Sequence, residues 1–255
     1  MQMGEAARRS RHRGEILAGE PRCIYCEGAA ETNDHMPPKS MFRGSKRWSG
    51  LEFACCQNCN SGTRGAEAVA ALLSRIPVDD INFEEVEFRK YLGTAEQLNP
   101  GLSAQLGKNR RPVILQRRGL WFLSNELRLE SPIADRAMTV FSAKMGMALF
   151  REHVGSALPL HGAVFCSWFA NAGLHPKLED QLLRIMPAGA TLTQGKMHAA
   201  DQFAYRYVSD FQTLLGGLIS FHGNLTCLAV AAADPSKVTG PISRMGIVRP
   251  GELTA

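Results

Sequence analysis

The sequence predicts an α+β chain, with a small cysteine-stapled N-terminal module followed by a larger α+β domain built on an antiparallel sheet. Three observations carry this. Five of the seven cysteines (Cys23, Cys26, Cys55, Cys56 and Cys59) crowd into one short stretch, and only Cys166 and Cys227 lie outside it. Apolar spacing is helical at Val69, Leu72, Leu73 and Ile76, and strand-like in several runs beyond residue 113. Turn signals separate those runs, most clearly His222-Gly223-Asn224.

Composition narrows the class. Of 255 residues, 45% are hydrophobic and 21% charged, which suits a folded soluble protein and excludes a disordered or collagen-like one. At about 150 residues per domain, the length fits one large domain or two modest ones. The net charge of +5 is compatible with a nucleic-acid partner without identifying one. Met1–Arg13 carries Arg8, Arg9, Arg11 and Arg13 with no apolar core after them, so no secretory leader is expected. Clustered cysteines in a cytoplasmic chain bind metal more often than they form disulfides. Residues 154–176 and 211–233 lack Asp, Glu, Lys and Arg. Each is long enough to span a bilayer, which takes about 20 residues, but polar residues, Gly and Pro interrupt both, so no membrane span is expected.

The elements follow in order. Residues 1–20 read as a flexible basic arm. Residues 21–77 form the module, with a helix after the second cysteine pair that Pro77 stops. Residues 78–112 read as a linker, with a solvated acidic run (Asp79, Asp80, Glu84, Glu85, Glu87) and then a Gly-, Gln- and Asn-rich stretch. In residues 113–255, Val113–Leu115 and Leu120–Leu123 flank a hairpin turn. Ser131-Pro132 starts a helix that Gly155 can end. Ala163–Phe169 reads as a buried strand and Leu178–Met186 as a short helix. Phe203–Val208 and Leu214–Ala232 read as antiparallel strands, the latter folded around His222-Gly223-Asn224.

The chemistry concentrates in the first module. Cys23-x-x-Cys26 and Cys56-x-x-Cys59 supply four thiolates, enough for a closed tetrahedral Zn²⁺ site. Cys55 competes with Cys56, but only Cys56 repeats the spacing of the first pair. The 29 residues between the pairs exceed the ~15–20 of a simple ribbon, so the knuckles display a segment between them. That segment holds Asp34-His35-Met36-Pro37-Pro38-Lys39. An Asp beside a His offers a hard oxygen ligand and a base with a pKa near ~6.5. On an extended strand the two point to opposite sides, and a bend at the strand end would bring them together. Asn60 follows the last cysteine and should open the helix, which zinc ties to the base of the hairpin.

Together these residues resemble the HNH endonucleases of the ββα-metal superfamily, in the four-cysteine zinc-bound branch. The resemblance covers about residues 21–76. It implies a ββα-metal nuclease module hydrolysing DNA phosphodiester bonds, with RNA as the alternative substrate. His35 would be the general base. Asp34 and Asn60 would bind a catalytic Mg²⁺ or Mn²⁺, with Glu67 reaching it through water. The zinc would be structural, since four sulfurs leave no open position. Lys39, Arg43, Lys46, Arg47 and Arg64 are the candidate nucleic-acid contacts. Such architectures often belong to bacterial defence systems or mobile elements, and cutting both strands would call for a homodimer. The bracing Asn that the family often carries on its second strand has no counterpart in residues 48–54. A catalytically inactive zinc module that binds nucleic acid, or a nuclease gated by a sensing C-terminal domain, are the competing readings.

Overall fold

The computed structural model describes residues 5–76, 85–108, 110–117, 120–127, 129, 131–170, 181, 184–194 and 197–254. The fold is mixed α+β, with a six-stranded antiparallel sheet and a small two-stranded sheet beside the cysteine group. After α1 (Glu5–Gly19) come β1 (Thr32–His35) and β2 (Glu52–Cys55), which pair in the register Thr32↔Cys55 to His35↔Glu52. The first cysteine pair lies before β1. The second begins right after β2, where Cys56 caps α2 (Gln57–Gly62) by accepting the Cys59 N–H on its sulfur. Thr63 breaks the helix, and α3 (Arg64–Leu73) follows with Val69, Leu72 and Leu73 buried, the face that the apolar spacing predicts.

Two expectations change here. Residues 5–19 are a helix, not a loose arm; α1 packs on the β1–β2 hairpin, with Arg13 donating to the Glu31 carbonyl. The expected linker contains α4 (Glu85–Leu98) and α5 (Leu102–Lys108), which bury Ala95, Leu102 and Leu106. Sparse apolar residues conceal such helices, because a few buried side chains suffice when a partner helix, here α3 for α4, lies alongside. The antiparallel hairpin β3 (Arg110–Arg117) and β4 (Leu120–Leu127) stands where the turn signal predicts one.

Helix α6 (Pro132–Val154) is the spine. Ser131 accepts the Ala134 N–H at 3.1 Å, Pro132 occupies the first turn, and Gly155 closes the helix at φ 85. The remaining strands are β5 (Ala163–Ala170), β6 (Ala188–Ala190), the short pair β7 (Thr193–Gln194) and β8 (Met197–His198), β9 (Phe203–Ser209), β10 (Leu214–Phe221), β11 (Leu225–Ala232) and β12 (Gly246–Val248). The large sheet runs β12-β5-β11-β10-β9-β6. The helix expected over 178–186 falls largely outside the described residues.

One face of the sheet carries α6. At Gly146 the approach is so close that a Cβ would lie 2.7 Å from Val164 Cγ1. The other side of α6 meets α3, so buried residues of the cysteine module, α6 and the sheet form one continuous core. A helix buried on both sides loses its amphipathic signature, as the run Phe141–Phe150 shows. Cys166 and Cys227 are buried core residues, as expected. Two further contacts tie the module down. The β10–β11 turn reaches it through His222 to the Met41 carbonyl (2.7 Å) and Asn224 to the Ser74 carbonyl (3.1 Å). The C-terminal tail returns with Gly251 N–H donating to the Tyr25 carbonyl at 2.7 Å. Among the described residues, no helix is long and apolar enough to cross a membrane.

Candidate functional site

The four ligand sulfurs of Cys23, Cys26, Cys56 and Cys59 lie within 4.8 Å of one another, and those of Cys26 and Cys56 are 3.6 Å apart. Zn–S bonds of ~2.3 Å in a tetrahedron set sulfurs about 3.8 Å apart, so this group could hold a zinc ion. Cys56 belongs to it. Cys55 points its thiol to the Cys56 carbonyl at 3.2 Å instead. Contacts with the Cys55 and Cys59 sulfurs pull the Cys23 thiol far down, whereas burial pushes Cys26 up to about 11. Zinc would deprotonate all four, since only thiolate ligates.

Asp34 points into the core and His35 to the opposite, half-buried face of the hairpin, as strand alternation dictates. Asp34 Oδ2 accepts from the buried Tyr25 hydroxyl at 2.7 Å and lies 3.0 Å from Lys144 Nζ. Lys144 comes from the middle of α6, is fully buried, and also donates to Glu67 Oε1 (2.7 Å) and Thr63 Oγ1 (2.9 Å). Burial is the largest influence on Lys144 and opposes its charge, but Asp34 and Glu67 together outweigh it and raise its pKa. Burial likewise raises Glu67, against the pull of Lys144. Three hard oxygens thus already surround a cation, and it is an ammonium. As arranged, this donor set does not fit a divalent ion. The cysteines are the only metal-competent group of three or more His, Cys, Asp or Glu side chains among the described residues.

The other sequence-predicted residues divide clearly. Asn60 sits on α2 with Nδ2 3.4 Å from Thr32 Oγ1 and 3.5 Å from the Asn33 carbonyl, so it reaches the back of β1. No hydrogen bond or ion pair joins Asp34, His35 and Asn60 to one another among the described residues. The break at Thr63 separates Asn60, on α2, from Arg64 and Glu67, on α3. Lys39, Arg43, Lys46 and Arg64 are exposed. Arg47 is not, with a side chain only 3% exposed. Its guanidinium donates to the carbonyls of Pro37 (2.7 Å), Trp48 (2.8 Å), Met36 (3.0 Å), Leu51 (3.2 Å) and Gly50. Arg47 is therefore a loop brace, and its donors are spent on the protein rather than offered to phosphate.

His35 faces α1. Burial lowers its pKa, the Arg47 and Lys39 charges lower it further, and Glu52 and Asp34 oppose this. A neutral imidazole at neutral pH suits a base. Sequence reasoning missed Lys144, Tyr25 and Thr63 around Asp34, and Glu52 and His12 around His35. Lys144 left one signal: it is the only charged residue between Arg136 and Arg151.

Compared with protein-family models, curated proteins and solved structures, the chain gives no match.

Proposed function

We propose that this chain is an HNH-type endonuclease that hydrolyses DNA phosphodiester bonds. One observation carries the reading. A two-stranded hairpin whose first strand ends in Asp34-His35 is followed, right after its second strand, by a helix bearing Asn60, with the four-cysteine group at the junction. This is the strand-strand-helix order that the sequence resemblance calls for. In this reading His35 takes the proton from the attacking water. Arg47 fixes the loop after it, and the exposed Lys39, Arg43, Lys46 and Arg64 contact the nucleic-acid backbone.

The Lys144 ammonium favours a gated form of the same reading. The cation between Asp34 and Glu67 belongs to α6, which packs on the large sheet. Withdrawal of Lys144 would free both carboxylates for Mg²⁺ or Mn²⁺. The C-terminal part would then act as the gate.

Supercoiled plasmid with Mg²⁺ or Mn²⁺ tests the activity. His35→Ala should lower the nicking rate by roughly 10²–10⁴-fold, the usual cost of a lost general base. Equal nicking by both proteins, or none by either on DNA or RNA, would refute it. Mn²⁺ binding tests the gate: Lys144→Ala should bind Mn²⁺ at an Asp34-dependent site more tightly than the native chain does, and equal binding by both refutes gating.

A further inference from the structure

We propose that Glu52 is a positioning residue for His35, fixing the imidazole with its proton on Nδ1 and its lone pair on Nε2; this rests on the nuclease reading of His35.

The ladder places the two residues directly opposite each other at its last pair, on one face and at the closest cross-strand separation. Glu52 Oε2 is 3.5 Å from His35 Nδ1. That nitrogen is buried and makes no hydrogen bond, and the Glu52 carboxylate is the acceptor that stands beside it. A neutral imidazole has one donor and one acceptor nitrogen, and an ionised carboxylate can only accept. The pair is therefore satisfied only by the Nδ1–H tautomer, which leaves Nε2 as the base. At 3.5 Å the contact is long, as such contacts often are before substrate binds.

Glu52 is itself held. Its side chain is 15% exposed, Arg47 Nη1 lies 3.7 Å from Oε1, and His12 Nε2 of α1 lies 3.2 Å from Oε2. Arg47 in turn grips the carbonyls of Met36 and Pro37, which immediately follow His35, and those of Gly50 and Leu51, which immediately precede Glu52. One buried guanidinium thus sets both ends of the His35–Glu52 pair. The docking of α1 gives the carboxylate a third neighbour, His12.

The test uses the full chain, with ¹⁵N-labelled histidine, at a pH where His35 is neutral. The His35 ring signals are identified by their loss in His35→Asn. Native protein should show the Nδ1–H tautomer. Glu52→Ala should shift His35 towards Nε2–H, while Glu52→Gln, which keeps an acceptor oxygen, should restore Nδ1–H. In the plasmid assay Glu52→Ala should lower kcat by roughly 10–100-fold, as loss of an orienting partner does, with KM within about twofold. A Glu52→Ala protein that melts at lower temperature yet keeps the native His35 tautomer overturns the proposal, because a purely structural Glu52 would behave that way. If native protein cuts nothing, the nuclease reading falls. The tautomer measurement then still decides whether Glu52 orients His35.

Discussion

Two polar centres meet at the β1–β2 hairpin and the helices after it, and their charge is balanced in opposite ways. The cysteine centre draws all four sulfurs from two pairs that flank the hairpin, and its counter-charge would be an external zinc ion. The carboxylate centre draws Asp34 from β1 and Glu67 from α3, and its counter-charge is a side chain of the protein, Lys144 of α6. The first centre needs only local chain geometry. The second exists only while α6 is docked between α3 and the sheet. An anion that depends on a distant helix for its cation reports the position of that helix, and a thiolate cluster does not.

Breaking the cysteine centre should have the largest effect. Structural zinc contributes roughly 10–16 kcal/mol in comparable sites. Cys23→Ser should abolish one-to-one zinc in metal analysis and lower the melting temperature sharply. Cys55→Ser should keep the zinc, since Cys55 lies outside the group of four. Loss of zinc in both variants would break the assignment of Cys56.

Breaking the carboxylate centre comes next. Lys144→Met leaves Asp34 and Glu67 buried without a counter-charge, which should cost about 3–5 kcal/mol in denaturant unfolding. Adding Asp34→Asn should recover part of that loss, because the uncompensated charge falls. A neutral Lys144→Met would mean that the ammonium is not the counter-charge.

The contact between the β10–β11 turn and the loop after Pro38 gives a pH-dependent test. Burial, then the nearby Arg75 guanidinium, lower His222 from 6.5 to about 4. The unfolded imidazole gains its proton near pH 6.5, whereas the folded one stays neutral until about pH 4. Unfolding therefore takes up a proton in that window, and stability falls as pH drops through it, by up to about 3 kcal/mol. Urea unfolding from pH 7 to 4 should show this slope, and His222→Gln should lose it.

The smallest effect on stability is expected at Arg43, whose pair with Asp201 is 3.7 Å long and more than half exposed on both sides. Arg43→Ala should change stability by under about 1 kcal/mol. If Arg43 touches phosphate, it should also lower the salt slope of DNA binding by about one. A large loss of stability instead would place Arg43 with the bracing Arg47.

Much of the architecture was legible in residue patterns. The cysteine spacing, the Ser131-Pro132 start, the Gly155 stop and the His222-Gly223-Asn224 turn each impose a local geometry that few other residues can satisfy. α1, α4 and α5 were not legible, because their docking rests on polar contacts such as Arg13 with Glu31 or on a few buried residues such as Ala95 and Leu102. Arg47 was misread for a related reason. A basic residue in a basic loop looks like a phosphate contact until the surrounding carbonyls are seen to claim its donors. The choice of Cys56 over Cys55 could be made from spacing, and the capping of α2 supplies its physical reason.

By itself the sequence determined the α+β class, the four cysteines that gather, and the placing of Asp34, His35 and Asn60 on a hairpin and the helix after it. These follow from periodicity and short-range spacing, which act through covalent geometry. Only the tertiary structure decided which charges meet. Lys144 with Asp34 and Glu67, His222 with Arg75, and the Arg47 cage come from elements far apart in the chain or from backbone carbonyls that carry no sequence label. Burial makes such partnerships strong by removing the water that would otherwise solvate each charge separately.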